Sequence, residues 1–324
     1  MKEVELWKFV TNKLSKSKKV MLLTVANSYR SSPGRAGFKL AFSDGEEMVG
    51  TVGGGIMEYD MLNESRKYFN LNAPVTMIKK LHHNIKSSGT KSGLICGGTQ
   101  SIIFHKIMPE EKNKIEGQLD SCAERKKSLM QLSPEGLSFT INKWNNEKFS
   151  FYYKDKNDWK YEENCGTPTT VYVIGGGHVG LAVSRAMSTL DFYVVTFDNR
   201  KDVFTMKNNI YANKKIISEY ENINNYIVEG DNSYVVIVTA EYSTDKAALK
   251  SVLNKNFKYL GLMGSESKIH KIFTELKEEG FDKNLLDMIH TPIGIEIEGE
   301  SPEEIAISIA AEIIKVKNVM EFEN

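Results

Sequence analysis

A glycine cluster between a buried strand and a helix constrains the second half of this chain more than any other feature. Residues 171–187 read VYVIGGGHVGLAVSRAM, a short β-branched run followed by three glycines and a helical pattern. The segment FYVVTFDNR comes next and predicts a second buried strand that ends in an acid. This order is a βαβ unit, and strand and helix continue to alternate after it. We therefore expect a doubly wound parallel sheet from residue 169 onward.

The glycines of this segment match the dinucleotide-binding spacing GxGxxG at Gly175, Gly177 and Gly180. The first glycine allows a tight turn, the second lets a pyrophosphate approach the amides of a helix N-terminus, and the third lets helix and strand pack closely. Asp198 ends the next strand, where an acid accepts hydrogen bonds from ribose hydroxyls. Arg200 could meet a 2′-phosphate instead, so NAD, NADP and other adenine dinucleotides all remain open as cofactors.

The nucleotide hypothesis has an alternative at two points. A Rossmann-like fold can keep such glycines while its pocket is vacant or altered. His178 is not required by the motif, and it is either a solvated residue at the start of the helix or a contact to an anion or a partner. We include His178 among the residues of the dinucleotide-type pocket and leave both alternatives open.

A second glycine triplet lies in the first half of the chain, in GTVGGGIMEYD at residues 50–60. It also falls between a strand-like and a helix-like run, but no βαβ unit surrounds it and no acid ends a following strand. Bare amides at a helix N-terminus bind anions. The loop at residues 27–37 adds hydroxyls and two guanidinium groups. Together the two segments predict a site for a phosphorylated ligand.

Two further side chains next to glycines in this half of the chain could carry chemistry. Glu58, in the first turn of the helix after the triplet, either complements the helix dipole or binds an N–H edge of a heterocycle. Cys96, in SGLICGG, precedes two glycines whose amides could stabilise a thiolate; the alternative is a buried cysteine that packs as a small hydrophobe. His82 and His83 have no further Cys or His at zinc-ligand spacing, so we predict no metal site.

Composition limits the class of protein. Lysine plus arginine and aspartate plus glutamate both number 42 in 324 residues, so no net field favours binding to nucleic acid or to an acidic membrane surface. The longest apolar run is far shorter than the roughly 20 residues of a membrane helix. The first residues, MKEVELWKFVTNKL, predict an amphipathic helix and no secretion signal. Three cysteines indicate no disulfide framework, and we expect a cytoplasmic protein.

The pattern of strands and helices predicts an α/β protein with two domains. We expect a small N-terminal α/β domain at residues 1–108, a bridging helix and β-meander at 109–168, and a Rossmann-like domain with a doubly wound parallel sheet at 169–324. The chain closes with SPEEIAISIAAEII, where Ser301 caps a helix and Glu304 completes a capping box.

Seven segments in order resemble the XdhC/CoxI family of xanthine dehydrogenase and carbon monoxide dehydrogenase accessory factors. They are SSPGRAGFKLAF, DG, GTVGGGIME, SGLICGG, VIGGGHVG, GLMGSESK and HTPIGIEIEGESPEEIAISIAAEI. The resemblance covers nearly the whole chain and is least distinctive between residues 109 and 165.

The resemblance implies a molybdenum cofactor chaperone rather than a catalyst. Such a protein binds molybdopterin, supports replacement of an oxo ligand by sulfur from a separate cysteine desulfurase, and delivers the product to an apo molybdenum hydroxylase. The family also implies a homodimer. Matched by motif, the molybdenum cofactor residues are Ser32, Arg35, Gly53, Gly54, Gly55, Glu58 and Cys96, and the nucleotide-type residues are Gly175, Gly177, Gly180 and Asp198.

The chain departs from the family at one position. Many members carry a Thr-His-Asp-His type segment after the central strand of the Rossmann domain, whereas this chain has Thr239-Ala240-Glu241-Tyr242. No histidine role can therefore be transferred. Two competing hypotheses remain besides the chaperone, an NAD(P)-dependent oxidoreductase and a dinucleotide-sensing regulatory or scaffold protein. The oxidoreductase hypothesis leaves GTVGGGIME and LICGG unexplained.

Overall fold

The chain forms two compact units, each with its own core. The structure is a computed structural model that describes residues 2–82, 98–166 and 168–318. The division falls between Thr167 and Pro168. We call Met1–Thr167 unit 1 and Pro168–Asn324 unit 2. None of the described helices is both long enough and apolar enough to cross a bilayer.

Unit 1 contains two antiparallel sheets. The first has the strand order β3-β2-β1-β5-β4 and the second has the order β7-β6-β9-β8. The strands are β1 (Val20–Tyr29), β2 (Lys39–Ser43), β3 (Met48–Gly50), β4 (Thr76–His82), β5 (Thr99–Ile107), β6 (Ser128–Ser133), β7 (Gly136–Ile141), β8 (Phe149–Asp155) and β9 (Asp158–Cys165). The helices are α1 (Lys2–Ser15), α2 (Gly55–Phe69) and α3 (Lys112–Ala123).

Alternation along β1 divides the core of unit 1 between two faces. Met21 and Leu23 point to the face that α2 covers with Met57 and Met61. Val20 and Leu22 point to the opposite face, where they share a cluster with residues of α1 and of the second sheet. The period of two in a strand produces this division. The segment predicted as a meander pairs β6 with β9, so its strands do not follow one another in simple order.

Unit 2 is a parallel sheet with helices on both faces. Its strand order is β12-β11-β10-β13-β14, and each pairing is parallel. The strands are β10 (Thr170–Ile174), β11 (Tyr193–Asp198), β12 (Lys214–Ile217), β13 (Gly230–Ile237) and β14 (Phe257–Leu262). The helices are α4 (His178–Thr189), α5 (Phe204–Lys207), α6 (Tyr242–Val252), α7 (Glu266–Glu278), α8 (Lys283–Asp287) and α9 (Pro302–Asn318). The predicted α/β class with a Rossmann-like C-terminal half is confirmed.

The ends of the unit 2 elements explain where a ligand can approach. In a doubly wound sheet the order of strands reverses beside the first strand, and ligands bind at the carboxyl ends of the strands at this point. Here β10 lies between β11 and β13, so Gly175 and the residues after β11 belong to that edge.

The predicted cap of α9 is confirmed, because the Glu304 amide donates to Ser301 Oγ over 3.3 Å and the Ser301 amide donates to Glu304 Oε2 over 3.0 Å.

Candidate functional site

The glycine loop of unit 1 packs against the loop that carries the predicted arginine. The Gln100 side chain donates to the Gly34 carbonyl over 2.9 Å and to the Val52 carbonyl over 3.3 Å. A Cβ on Gly34 would overlap the Val52 carbonyl oxygen, and a Cβ on Gly53 would lie 2.9 Å from the Gly34 nitrogen. The two segments predicted to form one site are therefore in direct contact, and Gln100 fastens them together.

Glu58 is held in this loop by one of its two oxygens. Its Oε2 accepts from the Thr51 hydroxyl at 2.7 Å, the Val52 amide at 2.9 Å and the Gly54 amide at 3.1 Å. Its Oε1 has no hydrogen-bond partner among the described residues. The carboxylate is thus fixed in orientation while one oxygen remains able to accept a further hydrogen bond.

The triplet leaves open space on its outer side. Gly54 and Gly55 adopt φ of +74° and +69°, and no atom of the described residues lies within 4 Å of a Cβ built on either residue. These conformations favour glycine, because a Cβ would clash with its own backbone there. The Gly55 amide has no acceptor in the part of the chain that the structure describes, as is usual in the first turn of a helix. A ligand can therefore approach the backbone closely at this point.

The structure limits the predicted anion cradle to part of the triplet. The Gly54 amide donates to Glu58, and the Gly53 amide donates to Thr51 Oγ1 over 3.0 Å. An anion at these two amides would have to displace both acceptors. The free amides of the loop begin at Gly55.

Ser32 and Arg35 lie on the neighbouring loop, as the segment order requires. Arg35 is exposed, and its Nη1 donates to the Arg30 carbonyl over 3.0 Å. The Ser32 hydroxyl is half-buried and donates to the Gly34 carbonyl over 3.3 Å. The other nitrogens of the Arg35 guanidinium have no hydrogen-bond partner among the residues that the structure describes, so they can bind an anion. Cys96 lies outside the described residues, as does His83.

The cysteines that the structure describes are not candidates for thiol chemistry. Burial raises the pKa of Cys122 to about 12, and burial also raises the pKa of Cys165 well above its ordinary value. Both thiols are buried. Because the thiolate is the reactive form, these two side chains are inert packing groups at neutral pH.

In unit 2 the glycines of the GxGxxG spacing have different environments. A Cβ on Gly180 would overlap the Gly175 carbonyl oxygen, and a Cβ on Gly175, at φ +120°, would overlap the Val238 carbonyl oxygen. These two positions are sterically restricted to glycine. Gly177, by contrast, has no atom of the described part of the chain within 4 Å of a built Cβ, and it precedes the first helical residue, the exposed His178. Gly177 is the glycine that faces open space at the N-terminus of α4.

Asp198 is buried and fully engaged by its own chain. Its Oδ1 accepts from the Arg200 amide and from Arg200 Nε, each over 2.9 Å. Its Oδ2 accepts from the Gly176 amide over 2.8 Å and from Arg200 Nη2 over 3.0 Å. Burial opposes ionisation, but the hydrogen bonds from Arg200 and Gly176 outweigh it and hold the pKa of Asp198 below its ordinary value.

The middle glycine of this loop is covered by α5. A Cβ on Gly176 would lie 2.8 Å from the Met206 side chain. The Thr205 hydroxyl donates to the Gly176 carbonyl over 2.5 Å. Access to the loop is therefore through Gly177 rather than through Gly176.

A buried acid at the carboxyl end of β13 was not predicted. Asp245 on α6 accepts from the Thr239 hydroxyl over 2.5 Å and forms an ion pair with Lys268 of α7. Burial raises the pKa of Asp245 above its ordinary value despite these partners. The sequence does contain a signal, because Asp245 falls on the buried stripe of α6 with Ala248 and Leu249 at helical spacing.

A cavity of about 370 Å³ lies beyond the end of β14, between the start of α7 and the segment before α9. Its lining is largely apolar, with the carboxylates of Glu296 and Glu298. Of the predicted site residues, none of those that the structure describes lines it. It is therefore separate from the glycine loop of unit 2.

These features define the class of protein. It is an α/β chain of two units: unit 2 is a Rossmann domain, and unit 1 has a glycine loop whose amides donate to the Glu58 carboxylate. Family models match a segment of each unit. The model described as the XdhC and CoxI family matches residues 14–77, and the model described as the XdhC Rossmann domain matches residues 171–313. The chain belongs to the XdhC and CoxI family.

Individual relatives are distant. Escherichia coli (strain K12) uncharacterized protein YqeB is 23% identical over 298 residues, which are 91% of this chain and 43% of that protein. A Bacillus subtilis (strain 168) protein described as a probable xanthine dehydrogenase component is 30% identical over 82 residues, 25% of this chain and 23% of that protein. The chain therefore spans less than half the length of either curated relative.

A solved structure shares the fold of the whole chain. It is a crystal structure from Bacillus halodurans described as a xanthine dehydrogenase, with a TM-score of 0.74 over 100% of this chain and 97% of that one. The sequence identity is 19%, so this similarity shows a common fold.

Proposed function

We propose that this chain is an accessory factor for a xanthine dehydrogenase-type molybdenum hydroxylase. In this proposal unit 1 binds the molybdenum cofactor while a cysteine desulfurase supplies sulfur, and the chain then delivers the cofactor to the apoenzyme. Family membership supports the accessory role, and two relatives carry xanthine dehydrogenase in their descriptions. The cofactor is cargo here and not a resident group.

The observation that carries the proposal is the hydrogen bonding of the Glu58 carboxylate. A pterin presents N–H donors on one edge, and a carboxylate is their natural acceptor. Glu58 meets this requirement because Oε2 is fixed by three donors of the loop while Oε1 has no partner among the described residues. A preoriented carboxylate loses little conformational freedom on binding. The open backbone at Gly54 and Gly55 lets a flat ring approach.

The phosphate of molybdopterin needs a cationic or amide-rich surface beside this carboxylate. We assign it to the exposed guanidinium of Arg35 and to the free first-turn amides of α2 from Gly55 onward. Ser32 lies on the same loop as Arg35. The amides of Gly53 and Gly54 are left out of this assignment, because Thr51 and Glu58 already accept from them.

The test is copurification of pterin from a host that synthesises molybdopterin. The full chain should carry it substoichiometrically, measured as fluorescence of the oxidised pterin. Glu58→Gln removes the charge and keeps the size, and Arg35→Ala removes the guanidinium; each should lower the bound pterin by about tenfold, the value of one charge-assisted hydrogen bond. Pterin levels unchanged in both variants would place the site elsewhere.

Matched controls separate the site from general surface charge. Asp60→Asn removes an exposed carboxylate of the same helix, and Arg66→Ala removes an exposed guanidinium near the end of that helix. Both should leave bound pterin unchanged. A similar loss in the controls would indicate a nonspecific electrostatic effect.

A thiol completes the proposal on the sulfur side. A thiol near the metal could ligate molybdenum, and Cys96 is the cysteine that the family motif supplies. Cys96→Ser should reduce activation of the apo hydroxylase in a reconstituted assay while leaving the folded fraction unchanged. Cys122→Ser is the control, because Cys122 is buried and its raised pKa keeps it protonated. Undiminished activation in Cys96→Ser would leave that cysteine a packing residue.

A further inference from the structure

The residue expected to bind a ribose in unit 2 has no capacity left to do so. Each oxygen of Asp198 already accepts two hydrogen bonds. Of these four bonds, Arg200 donates three and the Gly176 amide donates one. A carboxylate has about four lone-pair positions. The Asp198 side chain is also 0% exposed. A ribose diol would therefore find no free oxygen on Asp198 and could not reach this carboxylate.

The charged group exposed at this point of the surface is Arg200 and not Asp198. Its side chain is 55% exposed, although Nε and Nη2 are fixed by Asp198. Its Nη1 has no hydrogen-bond partner within the described ranges. A guanidinium held on one edge presents its other donors in a fixed direction, which is the geometry that a phosphate monoester binds. Asp198 thus acts as a positioning residue for Arg200.

The remaining parts of the loop suit a dinucleotide. Gly177 faces open space and precedes α4, a helix of 12 residues whose first amides point toward that space. Gly175 and Gly180 shape the turn by close backbone approach. Arg200 follows β11, the strand next to β10, which is where the adenosine ribose lies in this fold.

We propose that unit 2 binds a 2′-phosphorylated adenine dinucleotide of the NADP type in preference to NAD, with Arg200 contacting the 2′-phosphate. This inference goes beyond the proposed function, because it concerns the other unit and another ligand. NAD is disfavoured since its 2′-hydroxyl finds no free acceptor on Asp198 and gains no charge-assisted contact with Arg200. Ligand selection here depends on one charge pair and not on the acid alone.

Binding measurements on the purified full chain test this inference. Calorimetric titration with NADP and with NAD should show NADP binding at least about tenfold more tightly, as one charge-assisted contact allows. Adenosine 2′,5′-bisphosphate should compete with NADP, whereas adenosine 5′-monophosphate should compete poorly. Equal affinities, tighter binding of NAD, or no binding of either dinucleotide would each overturn the inference.

Variants assign the preference to Arg200. Arg200→Ala should lower NADP affinity by about tenfold to a hundredfold. It should not lower NAD affinity, because it frees acceptor positions on Asp198. Arg200→Lys should restore part of the affinity, because it keeps the charge and loses the fork of donors. Arg185→Ala, an exposed arginine on α4, is the matched control and should change neither affinity. A preference for NADP that survives Arg200→Ala would overturn the assignment.

A double-mutant cycle distinguishes a positioning role for Asp198 from ribose binding. If Asp198 positions Arg200, Asp198→Asn should lower NADP affinity, and it should have little further effect in the Arg200→Ala background. If Asp198 binds ribose, Asp198→Asn should lower NAD affinity and spare NADP. Pterin copurification by unit 1 is measured separately, so failure here and failure of the proposed function are distinguishable.

Discussion

Each glycine loop donates a backbone amide to a nearby carboxylate, yet the two loops present groups of opposite charge to a ligand. In unit 1, the donors to Glu58 among the described residues are all neutral, and one of its oxygens has no partner among them. In unit 2, Asp198 is buried and paired with Arg200, so the group that reaches the surface is cationic. The same internal closure therefore favours N–H donors of a ligand in the first unit and a phosphate in the second.

The largest expected effect separates glycines that shape the fold from glycines that face a ligand. Gly180→Ala places a methyl group on the Gly175 carbonyl oxygen, so α4 must move away from β10. We expect it to lower the free energy of unfolding by about 3 kcal/mol. Gly177→Ala, at φ −71° with open space around the Cβ, should cost under about 1 kcal/mol.

Urea unfolding followed by far-UV circular dichroism measures both costs. Gly177→Ala should in addition weaken dinucleotide binding, because its methyl group would lie where the proposed dinucleotide brings its pyrophosphate close to the backbone. Equal destabilisation by the two substitutions would show that Gly177 is also a packing residue. Unchanged dinucleotide binding in Gly177→Ala would remove it from the pocket.

A second prediction compares the two carboxylates by truncation. Asp198→Ala leaves the Gly176 amide and the Arg200 guanidinium without their buried acceptor, and we expect a loss of about 3 kcal/mol. Glu58→Ala removes an acceptor near the start of α2 and should cost about 1 kcal/mol, as the loss of a helix cap does.

The two losses can be assigned to their units by tryptophan fluorescence. The chain has three tryptophans, Trp7, Trp144 and Trp159, and all of them lie in unit 1. Fluorescence should therefore report the Glu58 variant, while far-UV circular dichroism reports both units. A Glu58→Ala variant as destabilised as Asp198→Ala would contradict the difference in burial on which the comparison depends.

The sequence predicted unit 2 well, because the βαβ pattern is local and repeats along the chain. It also predicted an acid at the end of β11, but it could not tell which donors Asp198 takes. Arg200 is only two residues away and competes with any ligand for the same oxygens. Whether Asp198 accepts from Arg200 or from a ligand depends on the burial of its carboxylate, and the spacing of residues in the sequence does not predict that burial.

The unit 1 loop was harder to predict, because its contacts join distant parts of the chain. Gln100 binds carbonyls 66 and 48 residues away, and nothing in LICGGTQ indicates that a glutamine fastens two loops. The sequence did predict that the two loops belong to one site. It did not predict that Glu58 accepts from the triplet itself, which changes the amides available to an anion.

A third prediction uses the fastening of the unit 1 loop. In unit 2 the turn has a backbone hydrogen bond, 2.9 Å from the Gly175 amide to the Phe197 carbonyl, in addition to its bonds with the side chains of Asp198 and Thr205. In unit 1 the Gln100 side chain joins the two loops. Gln100→Leu should lower the free energy of unfolding by about 1–2 kcal/mol, the value of a hydrogen-bonded buried amide. Tryptophan fluorescence should show the loss, and dinucleotide binding should not change.

The control for this substitution is Gln131→Leu on β6, a half-buried glutamine of the same unit. It should be close to neutral. The Gln100 variant should also bind less pterin, since the arginine loop is no longer tied to Val52. Normal pterin binding with reduced stability would show that the two loops act independently.

The smallest effect is a dependence of unit 2 on acid. Because the folded pKa of Asp198 lies below its unfolded value of 3.8, its contribution to stability is present above that pH and is lost as pH falls through the folded pKa. Each unit of difference in pKa is worth about 1.4 kcal/mol at most. Urea midpoints measured by circular dichroism between about pH 2 and pH 6 should therefore fall less steeply in Asp198→Asn than in the native chain.

The fluorescence transition of unit 1 should keep its own acid dependence in that variant, since Glu111, whose pKa is also lowered, lies there and remains intact. If the acid limb of unit 2 is unaltered in Asp198→Asn, the Arg200 pair does not hold the carboxylate in its charged form, and the cationic surface that distinguishes the second loop from the first loses its physical basis.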